Sequence, residues 1–149
     1  MSTSQLRDVA TPREGRTRQL TSFGRDPDRG GTFLGTRPAA ARRKRILLAA
    51  GETHTMARIE GAGVITRLWM TVLPVGSRAL RDVVLRMYWD DESAPSVECP
   101  FGDFFGALLG RRLSYVSEPL AIANGAYVCS WPMPFETSAR IEVTNEGST

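Results

Sequence analysis

The chain of 149 residues carries 19 Lys+Arg against 16 Asp+Glu, with one His and two Cys, which fits one domain with a real core. Residues 1–45 hold eleven of the basic side chains and four of the acids, so the pI near 9.3 belongs to the leading segment and not to the remainder. Two Cys are too few for a disulfide framework or a zinc site, no apolar run approaches ~18 residues, and no secretory signal is visible.

These exclusions leave a chain without membrane span, metal or cofactor, and a cytoplasmic location is expected by default. The cluster Arg42-Arg43-Lys44-Arg45 has the charge to neutralise phosphates, but equally that of a solvated arm or of a guard on a strand edge. No recognition motif or basic helix accompanies it, so no nucleic-acid partner is expected. Cys99 and Cys129 each sit inside an apolar run and are expected as buried thiols, with one bridge allowed if their strands are neighbours.

From Met1 to Arg45 the composition is Arg, Thr, Gly, Asp and Pro, with turn chemistry at Arg25–Gly31 and one helical turn near Ser4–Val9. An irregular basic arm follows from this, ordered only by lying against the body or a partner subunit. Residues 46–149 then read as short β runs. Ile46–Ala50 leads into the Gly51-Glu52 turn, and His54–Glu60 alternates towards Gly61-Ala62-Gly63, read as a hairpin turn. Val64–Leu73 is rich in β-branched and aromatic residues and ends at Pro74. Leu80–Trp89 places Val83, Leu85, Met87 and Trp89 on one face and Arg81, Val84, Arg86 and Tyr88 on the other; its helical alternative is outweighed by β-branched content.

Asp90-Asp91-Glu92-Ser93 reads as an outward-pointing hairpin turn, followed by a run over Ser96–Phe101. Later runs are Tyr115–Ile122, Ala126–Trp131 and Ala139–Thr144, punctuated by Asn124-Gly125 and Pro132. Seven or eight short strands without a long helix predict an all-β fold, an antiparallel jelly-roll β-sandwich with an irregular basic N-terminal arm. The last run lies close to the end of the sequence and wants partners on both edges, which suggests that more sheet follows it.

The most informative stretch is Glu98-Cys99-Pro100-Phe101-Gly102-Asp103-Phe104-Phe105-Gly106. Two Gly bracket an Asp and a Phe pair, so the backbone bends while presenting charge and aromatic surface at the end of a sheet. Asp103 is read as capping the backbone of this turn or as contacting a ligand. Phe104, Phe105 and Trp131 offer aromatic faces to a sugar ring, or else pack in the core or a subunit interface. Trp69 and Trp89 are read as core, and His54 as a surface residue.

Through Gly51-Glu52-Thr53, Ile59–Thr71, Leu80–Asp90, Pro95–Glu98, Gly102–Gly106, Pro132–Phe135 and Ser138–Val143, the chain resembles the N-terminal part of the domain-of-unknown-function family 2961, whose characterised members form glycoside hydrolase family 172. The resemblance implies two jelly-roll sandwiches per subunit, trimers or hexamers, and retaining hydrolysis of fructofuranosides or arabinofuranosides. It implies two catalytic glutamates in Gly-Glu-Gly-Asp and Gly-Thr-Glu-Asp-Tyr motifs, neither of which occurs in this sequence. Where the family carries Gly-Gly-Asn-x-Asp, Gly30-Gly31 here precede Thr32-Phe33. The family's lengths make this chain the first third to half of a complete member.

The expectation is therefore a truncated or split member with no catalytic residues of its own, inactive alone and completed by a second chain or by homo-oligomerisation. Arg18, Ser22, Asp103, Phe104 and Trp131 are its candidate sugar-binding residues, the first two reaching a neighbouring subunit's pocket from the arm. The alternative is a self-assembling structural module or a carbohydrate-binding module without catalysis.

Overall fold

The computed structural model describes residues 11, 14–21, 46–72, 78–111 and 113–148. The chain divides into two compact units, residues 1–46 and 47–149. In the first, residues 14–21 form neither helix nor strand. The helical turn near Ser4–Val9, the Arg25–Gly31 turns, the Arg42–Arg45 cluster and Ser22 lie outside the described residues.

The second unit is built on one long antiparallel ribbon. Strands β1 (Thr53–Glu60), β2 (Gly63–Ile65) and β3 (Leu68–Thr71) pair in nested order with β10 (Ser138–Asn145), β9 (Met133–Phe135) and β8 (Ala126–Cys129). The ribbon starts in one sheet and ends in another. The first sheet has the order β1-β10-β4-β5, adding β4 (Val83–Trp89) and β5 (Val97–Pro100). The second has the order β3-β8-β7-β6, adding β6 (Tyr115–Val116) and β7 (Leu120–Ala123).

Both sheets feed one core. Leu85, Met87, Ile141 and Val143 from the first pack in the same cluster as Leu68, Ile122, Tyr127 and Cys129 from the second. The fold is thus an all-β antiparallel sandwich. Its strand order does not establish a jelly roll, because β4–β5 and β6–β7–β8 are neighbours in sequence as well as in space.

Local physics explains where the strands depart from the sequence-based expectation. Val64–Leu73 is not one strand: it breaks at Thr66-Arg67, where the ribbon passes between sheets opposite Ser130-Trp131-Pro132. Pro132 has no N–H to continue a ladder. Leu80–Trp89 is part helix and part strand. Arg78 C=O accepts the N–H groups of Arg81 and Asp82, winding Ala79–Asp82 into a single turn, α1, before β4 begins. Tyr115–Ile122 is split by a tight turn in which the Ser117 N–H donates to Leu120 C=O at 2.9 Å. Phe101 opens a second helical turn, α2 (Phe101–Phe104), and does not extend the strand before it.

Ile46–Ala50 is not a strand either. It leads into a turn closed by Glu52 N–H on Ala49 C=O. Gly61-Ala62-Gly63 is a bend between successive ribbon strands and not a hairpin, with the Gly61 N–H donating to Thr137 C=O at 2.7 Å. The strand β9 escapes sequence reading because prolines flank and interrupt it, which a two-stranded ribbon tolerates. In β1 the pairing skips Met56, a bulge that adds one residue. That extra residue resets the alternation, so Thr53 and Thr55 before it and Arg58 and Glu60 after it are all exposed.

The last strand needs no further sheet for its edges: β10 lies between β1 and β4. Cys99 and Cys129 are free thiols on strands of different sheets, so they are not neighbours, and burial pushes both thiols up from their ordinary pKa. Trp69 is not core. It is 58% exposed, whereas Trp89 packs against the core cluster.

Asp90 and Asp91 occupy the turn between β4 and β5 with φ of 53° and 63°, closed by Glu92 N–H on Trp89 C=O. Positive φ at both central positions is the hairpin geometry that Asp tolerates. The carboxylates do not all point outward. Asp90 Oδ1 accepts the backbone N–H groups of Glu136 (2.8 Å), Thr137 (2.7 Å) and Ser138 (3.3 Å), clipping this turn to the β9–β10 turn. The N–H of Thr137, with those of Ser138 and Glu136, holds the Asp90 carboxyl below its ordinary pKa.

A carboxylate whose pKa is lower in the folded state stabilises fully above its unfolded value, about 3.9, and loses that contribution as pH falls through the folded value. Acid unfolding followed by circular dichroism is therefore expected to be shallower below about pH 4 in Asp90→Asn than in the parent. Asp90→Ala, which loses both the acceptor and the tolerance for positive φ, is expected to melt at a lower temperature than Asp90→Asn. An unchanged acid limb in the Asn variant would show that this clip does not operate.

Candidate functional site

The loop that the sequence singles out is held by its own aromatic residues. Phe101 and Phe105 are buried, 5.0 Å apart between ring centroids, and both contact Tyr127 edge-on. Phe104 meets Phe105 edge-to-face at 5.0 Å and packs against the core. Such tilted contacts suit the ring quadrupole. They also commit these rings to packing.

The two glycines have separate steric causes. A Cβ on Gly102 would stand 3.0 Å from Leu80 Cβ and 3.1 Å from Leu80 C=O, so α2 packs closely on α1. Gly106 has φ of 79°, and a Cβ there would lie 2.5 Å from the Tyr115 hydroxyl. That hydroxyl donates to Phe105 C=O at 2.7 Å and pins β6 to the loop.

Asp103 is the one motif residue whose side chain packing does not consume. It does not cap the turn through its side chain as expected. Its Oδ2 accepts from Arg81 Nη1, which joins α2 to α1 in a half-buried ion pair. Its Oδ1 is buried and has no hydrogen-bond partner. An unmatched buried carboxylate oxygen is costly. Arg81 was read only as a strand-face residue. The signal that finds it is its contact with Asp103, 22 positions away.

Other sequence-predicted site residues are not gathered around this carboxylate. Trp131 is 54% exposed on the connection from β8 to β9. Arg18 is exposed in the first unit. A separate shallow cavity of about 140 Å³ lies over the outer face of the first sheet, lined by Arg58, Glu60, Tyr88, Asp91, Glu92, Ser138, Ala139 and Arg140. Ligand pockets run from roughly 300 Å³ upward, so this one suits waters or a single side chain. Arg140 is already committed, 3.7 Å over the Tyr88 ring and 2.5 Å from Glu142. Among the described residues no group of three His, Cys, Asp or Glu is placed to hold a metal ion, and no helix is long and apolar enough to cross a membrane.

Gly106→Ala is expected to cost on the order of 2 kcal/mol in urea unfolding, from positive φ and the displaced Tyr115 hydroxyl. Arg81→Met and Asp103→Asn are expected to couple by about 0.5–1 kcal/mol in a double-mutant cycle, the partial exposure of both groups holding the figure down. Strict additivity would remove the pair from this account.

A family model described as GH172 domain-like matches residues 38–149. No curated protein matches the chain. Because the match covers most of the sequence and every strand of the sandwich, the protein belongs to the GH172 domain-like family.

Proposed function

We propose that this chain is the sandwich scaffold of a furanoside-directed glycoside hydrolase and does not cleave its substrate alone. The observation that carries this reading is a family match over residues 38–149 in a sequence lacking both glutamate motifs of that family. Retaining hydrolysis requires two carboxyl groups about 5–5.5 Å apart across a sugar. Five of the body's twelve acids have other work, which supports the reading. Glu98 and Glu146 both bind Arg86, Glu142 binds Arg140, Asp103 binds Arg81 and Asp90 clips two turns together. In this reading the glutamates come from outside these 149 residues, and the sandwich frames the cleft.

A second reading rests on Asp103. Its unmatched Oδ1 and the Arg81 guanidinium beside it form an acceptor and donor pair of the kind that holds a sugar hydroxyl without cleaving it. Arg18, Ser22 and Trp131 belong to the same proposed sugar-contacting set, meeting it within an assembly.

The purified chain is expected to release no nitrophenol from arabinofuranoside or fructofuranoside substrates. Hydrolysis is expected to appear only when a polypeptide carrying both glutamate motifs is added. Turnover by the chain alone, lost when one of its own carboxylates is neutralised as in Glu98→Gln, would overturn the scaffold reading. For the second reading, titration calorimetry with arabinose and fructose oligosaccharides is expected to show binding that Asp103→Asn weakens by about tenfold, an effect of the size of one charged hydrogen bond.

A further inference from the structure

One turn of the body is built against local preference. Leu108–Gly110 forms a single 3-10 turn beside α1 and α2, closed by the Arg111 N–H on Leu108 C=O at 3.3 Å. Its residues Leu109 and Gly110 both have positive φ, 59° and 70°. Asn, Asp and Gly meet that demand readily, whereas the Cβ of a leucine is crowded in the left-handed region. Packing does not offset the strain: Leu108 is 62% and Leu109 79% exposed, and neither belongs to the core cluster. A leucine held in a strained backbone with its side chain in water has its reason outside this fold.

We propose that the Leu108-Leu109 turn is an insertion point for an anionic lipid surface, on which the chain rests without crossing the bilayer. This goes beyond the proposed function and does not depend on it. Size argues for this occupant. Two leucine side chains fall far short of the roughly 800 Å² that each partner gives to a stable protein contact. They suit a turn that dips into the apolar boundary beneath lipid headgroups, where binding follows buried apolar area and electrostatic attraction together.

The charge around the turn has the matching sign. Arg111 follows it directly, is exposed, and its side chain has no ion pair or hydrogen bond among the described residues. The Arg78 side chain, next to α1, is 80% exposed. The acids of α1 and α2 are already engaged, Asp82 by Arg78 and Asp103 by Arg81. Cations beside an apolar tip are what a negative headgroup layer attracts, over a range that salt shortens. The first 45 residues add eleven basic side chains against four acids to the same chain. A weak apolar anchor holds at a membrane when a polybasic segment accompanies it.

The full chain is expected to float with phosphatidylcholine vesicles that contain phosphatidylserine, less as salt is raised, and hardly at all with pure phosphatidylcholine. Leu108→Ser combined with Leu109→Ser is expected to lower the partition constant about tenfold. Arg111→Gln is expected to lower it about fivefold. Leu109→Asn separates lipid contact from folding. Asn tolerates the positive φ, so the thermal midpoint is expected to hold or rise while the partition constant falls. The Arg42–Arg45 cluster is intact in all these variants. Unchanged binding by the double serine variant would therefore assign the attraction to charge alone and overturn the proposal. So would a chain that does not float, equal binding to uncharged vesicles, or a serine variant that loses self-association but keeps its lipid binding.

Discussion

The fold depends on β10 having two neighbours. Ser138–Asn145 pairs with β1 on one edge and β4 on the other, although 78 positions separate Ser138 from its β1 partner Glu60. Its inward residues Ala139, Ile141 and Val143 are buried, while Arg140, Glu142 and Thr144 face outward. Asn145 ends the strand and ties in the segment that leads to β1. Its side chain donates to Leu48 C=O, its backbone N–H to Glu52 C=O, and its own carbonyl accepts from Gly51. Loop closure of this length costs entropy before any pairing offsets it.

Because the ribbon crosses between sheets, one constraint shapes both outer faces. Around β10 the first sheet carries a network of unlike charges, with Arg86 held by Glu98 and Glu146 and its pKa raised by those hydrogen bonds. That face is at home in water. The second sheet inherits the other end of the same ribbon with uncharged outer positions. The difference does not arise from strand-forming preference, since both faces alternate.

Alternation and turn chemistry were legible in the sequence. Leu85 and Met87 are fully buried on the predicted inner face of β4, and Asn124-Gly125 turns β7 into β8 with positive φ at both residues. What alternation cannot convey is which of two apolar faces is the core, so Trp69 was placed inside although it is exposed. Nor does a local pattern reveal where a strand changes sheet. The break at Thr66-Arg67 is decided by the returning strand, 60 and more positions later. The Met56 bulge is similar: its effect on facing appears only once β10 supplies a register. The family relation was legible from motifs in order. The Arg81–Asp103 pair was not, because it joins two helical turns that the strand reading had dissolved.

The Gly-Asp-Phe-Phe-Gly loop shows how a scaffold and a site share residues. Gly102 is required by the approach of Leu80, Gly106 by positive φ beside Tyr115, and Phe105 by the core. If the motif served packing alone, a small neutral residue in place of Asp103 would let α2 close on α1 without burying a carboxylate oxygen that nothing satisfies. A buried polar atom left unmatched lowers stability, and the Arg81 contact satisfies only one of the two oxygens. Packing therefore explains the glycines and phenylalanines of the motif but not the identity of Asp103. That residue is where a demand beyond folding has to be sought, at the end of the sandwich where two helical turns meet.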